Sequence, residues 1–212
     1  MPTIKGVMLL IDAGANMDAR PEQLLQFAQM GSIYMEHVVG ISSPRVALVN
    51  VGLEEAKGNQ LIKETAPLLK ECEGLNYTGS IEAREIPDGG ADVVLCDAFV
   101  GNVILKLSEG LSKVLVKEIK SGIMSTLRSK IGGALALPAL KKTLKRFDAS
   151  EYGGAPLLGL NGLVVKVHGS ATSKEMKNAV IQCVTFTEQQ INEKIKEEIL
   201  KGKERQNEKK KD

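Results

Sequence analysis

The chain has 212 residues, 43% of them hydrophobic and 25% charged, which is enough apolar content for one substantial core. A formal net charge of +2, 3% aromatic residues and no Trp disfavour nucleic acid as a partner, because neither bulk charge nor stacking platforms are available. Cys72, Cys96 and Cys183 stand far apart with no CxxC or Cys/His cluster, so neither a disulfide framework nor a zinc site is indicated, and a reducing cytoplasm fits.

The first apolar run, Val7 to Ile11, stops at Asp12, far short of the roughly 20 residues of a membrane-spanning helix, and reads as a buried strand. Glu22 to Val39 has helical periodicity, with Pro21 suited to its first turn. Val46 to Asn50 reads as the second strand, Gln60 to Cys72 as the second helix, Ala91 to Cys96 as the third strand, and Val103 to Met124 as the third helix. No acid occurs between Glu118 and Asp148, whereas Lys120, Arg128, Lys130, Lys141, Lys142, Lys145 and Arg146 all do. Gly132, Gly133 and Pro138 are expected to break this stretch into pieces. In its second half Leu137, Leu140, Leu144 and Phe147 share one helical face, so residues 119–147 form a basic amphipathic segment. It reads either as a helical hairpin packed on the domain or a dimer partner, or as a surface for anionic lipid or an acidic carrier protein, and the two readings are compatible.

Leu163 to Val167 reads as the fourth strand and Lys174 to Leu200 as the last helix, with Thr172 and Glu175 at capping-box spacing. Residues 201–212 are almost wholly charged or polar and are expected to be a frayed helix end and disordered tail. The alternation of strand and helix predicts one α/β domain over residues 1–200, with a largely parallel sheet flanked by helices.

Each strand is followed by small and polar residues that lead toward a helix: Asp12-Ala-Gly-Ala-Asn16, Asn50-Val-Gly52 with Lys57-Gly-Asn59, Asp97-Ala-Phe-Val-Gly-Asn102, and His168-Gly-Ser170. In a parallel sheet such loops gather at the carboxyl edge, where helix N-termini offer unpaired N–H groups to an anion. Any single Gly-Asn pair is explained better by ordinary turn and cap chemistry, but recurrence after several strands shifts the balance toward an anion-binding cleft. No Walker A sequence, GxGxxG fingerprint or GxSxG elbow is present. His168, at a strand end, is better placed for proton transfer than His37 in the first helix, although a structural hydrogen-bonding role fits it equally well.

The strings Asp12-Ala-Gly-Ala-Asn16, Phe27-Ala-Gln-Met-Gly31, Gly52-Leu-Glu-Glu-Ala-Lys-Gly-Asn59, Asp97-Ala-Phe-Val-Gly-Asn-Val103, Glu151-Tyr-Gly-Gly-Ala-Pro-Leu-Leu-Gly159 and Asn161-Gly-Leu-Val-Val-Lys-Val-His-Gly169 resemble, in order and spacing, the PlsX-type phosphate acyltransferases. The likeness runs from Met1 to about Leu200. It implies a fold similar to phosphotransacetylases and isocitrate-dehydrogenase-like enzymes, a homodimer, and attack of inorganic phosphate on long-chain acyl-ACP to give acyl phosphate and free acyl carrier protein. It also implies a cytoplasmic enzyme held peripherally at the membrane, where a PlsY-type glycerol-3-phosphate acyltransferase consumes the product. The family's Asp-x-Met-Gly-Gly-Asp motif and the strand-helix portion after it are absent upstream of Met1, so a C-terminal portion is expected. Ala98 and Val100 stand where the family usually has Gly and Thr, which removes one hydroxyl.

The mechanism implied places phosphate against the helix N-termini near Gly58 and Gly101, with Lys57 as the cation, and needs no metal, cofactor or covalent intermediate. Asn59, Asn102 or Asn161 would stabilise the developing oxyanion, and His168 would protonate the leaving thiolate. Lys57, Asn59 and His168 are thus the catalytic candidates, while Asp12, Gly14, Asn16, Gly58, Asp97, Gly101, Asn102, Asn161, Gly169 and Ser170 line the phosphate and substrate site. Asp12 and Asp97 are expected to orient loops, since a carboxylate beside phosphate repels it unless neutralised. The competing readings are an inactive fragment that keeps only dimerisation, carrier or membrane contact, and a short-chain phosphotransacetylase or nicotinamide-dependent dehydrogenase, against which the six strings argue.

Overall fold

The computed structural model describes residues 1–54, 56–147 and 153–209. A short antiparallel pair, β1 (Pro2–Thr3) and β2 (Gly6–Val7), precedes β3 (Leu9–Ile11) and helix α1 (Pro21–Tyr34). The chain continues through a wider helical turn (Met35–Val39), β4 (Val46–Asn50), α2 (Gln60–Lys70), β5 (Tyr77–Glu82) and β6 (Val93–Leu95). Then come α3 (Ala98–Met124), α4 (Leu127–Lys145), β7 (Ala155–Pro156), β8 (Val165–Lys166), α5 (Ser173–Glu188) and α6 (Ile191–Lys209). Among the described residues the main sheet has the order β3-β6-β4-β5, and all three pairings are parallel. The α/β class read from the alternation is the observed one.

The strand β4 shows why a continuous apolar run is the mark of this sheet. All five of its residues are buried, Val46 and Leu48 against one face and Ala47 and Val49 against the other. On the first face Leu24, Ala28 and Met35 of the first helical segment, Leu69 of α2, Phe186 of α5, and Ile191 and Ile195 of α6 close over Val46, Leu48, Val93 and Leu95. Leu24, Leu48, Leu69 and Leu95 are each 0% exposed; full burial of such a side chain contributes about 1.5–3 kcal/mol. The second face is thinner, with Met8, Leu10, Val94 and Cys96 packed under Val100, Ile104 and Leu105. At the amino edge Arg45 clamps β4 to the approach of β6: its Nε and Nη2 donate to Asp92 at 3.0 and 2.9 Å, and its Nη1 donates to the Gly90 carbonyl at 2.9 Å.

Several elements differ from the sequence reading. The strand β5 was not foreseen, because Thr78, Gly79 and Ser80 carry no apolar signal and only Ile81 of the strand is buried. Val165–Lys166 pairs antiparallel with β7 rather than joining the parallel sheet, so the loop that carries His168 is not one of the sheet-edge loops. Gly132, Gly133 and Pro138 do not break the basic segment; α4 runs through all three. The break lies at Ser125–Thr126, where the Thr126 side chain accepts from Ser129 N and caps α4. Gly133 is there for proximity, since a Cβ on it would lie 2.3 Å from Ile123 Cγ2 of α3. The last helix is two, parted at Gln189–Gln190 with Gln190 at φ 51°. Residues 201–209, read as a frayed end and disordered tail, continue α6 as helix, and 210–212 lie outside the described residues.

Beyond its first turns α3 leaves the sheet. Leu107, Leu111, Leu115 and Ile119 of α3, Leu127, Ile131 and Leu135 of α4, and Met176, Val180 and Val184 of α5 are all exposed. Leu137, Leu144 and Phe147, read as one apolar face, are exposed as well. No helix among the described residues is long and apolar enough to cross a membrane.

Candidate functional site

The loop after β3 is organised by one carboxylate. Asp12 is 8% exposed, and its Oδ1 accepts from the N–H groups of Gly14 and Ala15, each at 2.9 Å. Its Oδ2 accepts from Asn16 N and Asn16 Nδ2, each at 2.8 Å. Burial pushes the Asp12 carboxyl up, but the bonds from Ala15, Asn16 and Gly14 outweigh burial and hold it below the ordinary carboxylate range. Both oxygens of this group are committed to its own loop, so Asp12 shapes the edge through the N–H groups it holds. Asn16 passes the constraint on, since its carbonyl accepts from Ala98 N at 3.0 Å and so ties the β3 loop to the start of α3.

Adjacent in the sheet, β6 leads directly into α3. Asp97 is the N-cap, its Oδ1 accepting from Val100 N at 2.8 Å. Gly101 lies one turn in, pressed so closely on the β3 loop that a Cβ there would stand 1.9 Å from the Asp12 carbonyl oxygen. Cys96 Sγ donates to that same oxygen at 3.4 Å. Desolvation, and then the charges of Asp97 and Asp12, push the Cys96 thiol up, which keeps it protonated and unreactive. Asn102 comes next to Gly14: its Nδ2 is 3.5 Å from where a Gly14 Cβ would be. Asp12, Gly14, Asn16, Asp97, Gly101 and Asn102 are thus brought together, as their strand-end positions predicted.

The loop after β4 forms the neighbouring wall. Asn59 caps α2, its Oδ1 accepting from Ile62 N at 3.0 Å. Lys57 is exposed and pairs with Glu54 at 3.0 Å, and that bond holds the Glu54 carboxyl below its ordinary range. Gly58 has φ +98°, a left-handed conformation, and a Cβ on it would lie 2.7 Å from Asn50 Oδ1. Asn50, at the carboxyl end of β4, is 8% exposed; its Nδ2 donates to the Lys57 carbonyl at 3.3 Å and to Ser80 Oγ at 3.2 Å, while its Oδ1 accepts from Val51 N at 2.8 Å. Asn50 and Glu54 enter the sequence reading only as members of the loop strings, with no role of their own, and Ser80 does not enter it. An Asn ending a buried strand was a usable signal, whereas Ser80 lies on the strand that was not foreseen.

The remaining candidates are carried by the separate β7–β8 hairpin and the residues that follow it. His168, Gly169 and Ser170 follow β8, are exposed, and bond mainly to one another, with His168 Nδ1 2.7 Å from Ser170 Oγ. Asn161 is exposed in the turn between β7 and β8. No hydrogen bond or ion pair among the described residues joins these four to the sheet-edge loops. The first two residues of the string Glu151 to Gly159 lie outside the described residues. No group of three His, Cys, Asp or Glu side chains among the described residues is arranged to hold a metal ion.

The assembled edge therefore offers two capped helix N-termini on adjacent strands, one lysine and several amides, a donor-rich surface suited to an oxyanion. The chain is 47% identical over 203 residues to the phosphate acyltransferase of Brevibacillus brevis, covering 95% of this chain and 60% of that protein. It is 48% identical over 198 residues to the phosphate acyltransferase of Alkaliphilus oremlandii, covering 93% and 59%. It is 47% identical over 199 residues to that of Clostridium acetobutylicum, covering 94% and 60%. The chain thus spans about 60% of the length of these curated relatives. A family model described as "Fatty acid synthesis protein" matches residues 1–194, so the chain belongs to that family, the one whose PlsX-type members its six strings resemble.

Proposed function

We propose that this chain carries the phosphate-binding edge of a phosphate acyltransferase of fatty acid and phospholipid synthesis, acting on long-chain acyl-ACP and inorganic phosphate. The observation that carries the reading is the convergence of the α2 and α3 N-termini, with Lys57 beside them, on adjacent strands of the sheet. A phosphate oxygen attacks the thioester carbonyl carbon, the carbonyl π pair moves onto oxygen, and collapse of that intermediate expels the carrier thiolate. Acyl phosphate and, after one proton is taken up, free acyl carrier protein result. Lys57, the Gly58 N–H and those N–H groups at the α2 and α3 N-termini, near Gly58 and Gly101, that no cap or neighbouring loop takes neutralise the phosphate, and Asn59 or Asn102 donates to the oxyanion. One such donor contributes on the order of 3 kcal/mol. His168, its Nδ1 engaged by Ser170, is the proposed proton source for the thiolate.

Homodimerisation, docking of the acidic carrier and peripheral membrane attachment, with hand-over of acyl phosphate to a PlsY-type acyltransferase, belong to the same proposal. Their support is the α3–α4 hairpin, which combines exposed apolar residues with an acid-free run of basic ones.

The test is phosphate-dependent release of thiol from long-chain acyl-ACP by the purified chain. Release that requires phosphate, with kcat/KM for phosphate lowered about ten- to hundredfold in Lys57→Ala, is expected from the loss of one charge-assisted contact. A folded chain that releases no thiol would instead support the second reading, a binding remnant that associates through the exposed apolar faces of α3, α4 and α5.

A further inference from the structure

We propose that Asn50 is a positioning residue for phosphate capture: it fixes the Lys57–Gly58 peptide so that the Gly58 N–H faces away from the Asn50 amide. The inference rests on the phosphate-binding reading of this edge and deepens it. A peptide unit is planar and trans, so its C=O and the following N–H point in opposite directions. The Lys57 carbonyl is turned inward and accepts from Asn50 Nδ2 at 3.3 Å. The Gly58 N–H therefore points the other way, and no acceptor among the described residues takes it.

Three further features fix Asn50 in this role. Its Oδ1 is held by Val51 N at 2.8 Å, which fixes the orientation of the amide and leaves both Nδ2 hydrogens for Lys57 and for Ser80. Ser80 ties the amide to β5, so the loop is referenced to two strands of the sheet rather than one. Gly58, at φ +98°, brings its Cα so near that a Cβ would lie 2.7 Å from Asn50 Oδ1, so the peptide is seated directly on the amide. An Asp at position 50 keeps the acceptor for Val51 N but sets a carboxylate oxygen against the Lys57 carbonyl. That repulsion turns the peptide and withdraws the Gly58 donor, while the side-chain volume stays the same.

The experiment uses the full chain and compares the parent, Asn50→Asp, Asn50→Ala and Ser80→Ala. Steady-state kinetics vary inorganic phosphate at saturating acyl-ACP, and amide hydrogen exchange is followed with and without inorganic phosphate. Asn50→Asp is expected to raise the phosphate KM by about tenfold or more with kcat nearly unchanged, and Ser80→Ala to raise it by a few fold. Phosphate is expected to slow exchange at Gly58 in the parent and not in Asn50→Asp, whose global unfolding midpoint stays near that of the parent. A folded Asn50→Asp protein with parental KM and parental protection at Gly58 overturns the assignment, as does a variant that loses stability and kcat together with KM unmoved. If the parent releases no thiol, the acyltransferase reading fails on that arm alone. The exchange arm then decides the role of Asn50: protection of Gly58 by phosphate that depends on Asn50 upholds it, and no protection in the parent overturns it.

Discussion

Gly101→Ala is the sharpest single test of how the site is built. The added methyl would stand 1.9 Å from the Asp12 carbonyl oxygen and 3.0 Å from Cys96 Sγ, where a carbon–oxygen contact needs roughly 3.3 Å. The first turn of α3 must therefore move about 1.4 Å away from the end of β3, or tilt, because backbone rather than a flexible side chain occupies the space. The move strains the Ala98 N to Asn16 carbonyl bond of 3.0 Å and the Cys96 to Asp12 bond of 3.4 Å. Overpacking costs about 1–3 kcal/mol, a lost hydrogen bond about 1 kcal/mol more, and the better helix propensity of Ala returns somewhat under 1 kcal/mol. The net expectation is a loss of about 2–3 kcal/mol, read as a fall in melting temperature of roughly 5–10 °C for a chain of this size. Gly132→Ala, in exposed α4 with nothing within 4 Å of the new Cβ, is the control and should gain about 0.5–1 kcal/mol. Urea unfolding of both variants measures this directly. A Gly101→Ala protein within about 0.5 kcal/mol of the parent would refute the close-approach argument.

Two other predictions concern charge. Asp12 and Asp92 are each pushed up by burial and pulled further down by hydrogen bonds, for Asp92 chiefly from Arg45, so their folded values lie below the ordinary carboxylate value. Their contribution to stability is therefore complete above about pH 4 and is lost as pH falls through the lower folded value. Urea midpoints taken from pH 6 to pH 2.5 should show an acid limb that is shallower in Asp92→Asn, and an unchanged limb would contradict the linkage. Glu54 holds the Lys57 ammonium that phosphate would use, so Glu54→Gln should lower the phosphate KM by about two- to fivefold; a KM that rises would show that Glu54 supports the loop rather than competing for the lysine.

What could be read in advance follows from where the chemistry of a segment is local. β4 was legible because burial on both faces leaves an uninterrupted apolar run, and the start of α5 because Thr172 and Glu175 have capping-box spacing; the start of α3 was not, since Asp97 reads as a loop residue and the apolar helical period begins only at Val103, whereas the helix begins at Ala98. β5 was not legible: it is an edge strand with a single buried side chain, Ile81, and its Thr78-Gly79-Ser80 reads as a turn. The division between α5 and α6 falls on two glutamines, residues with no turn preference, and is imposed by the burial of Phe186 and Ile191 on either side of it. The site divides in the same way. Asp12, Asn16, Asp97 and Gly101 sit at strand ends that are neighbours in the sheet, so strand-end position was enough to group them. His168 also ends a strand, but that strand belongs to a separate hairpin, and nothing in Leu163 to Val167 distinguishes the two cases. Asn50 depends on the path of a loop that returns to it seven residues later, which no periodicity encodes.

The helix capped by Asp97 has 27 residues, of which only Ala98 and Gly101 are buried. At 1.5 Å per residue it is a rod of about 40 Å, seated at one end by the contact of Gly101 with the Asp12 carbonyl and free of the sheet for most of its length. Such a rod is a lever with its fulcrum inside the proposed phosphate edge. A tilt of about 5° at that fulcrum sweeps the far end by roughly 3–4 Å, and conversely whatever grips the α3–α4 hairpin applies its torque where Asn102 and Gly14 meet.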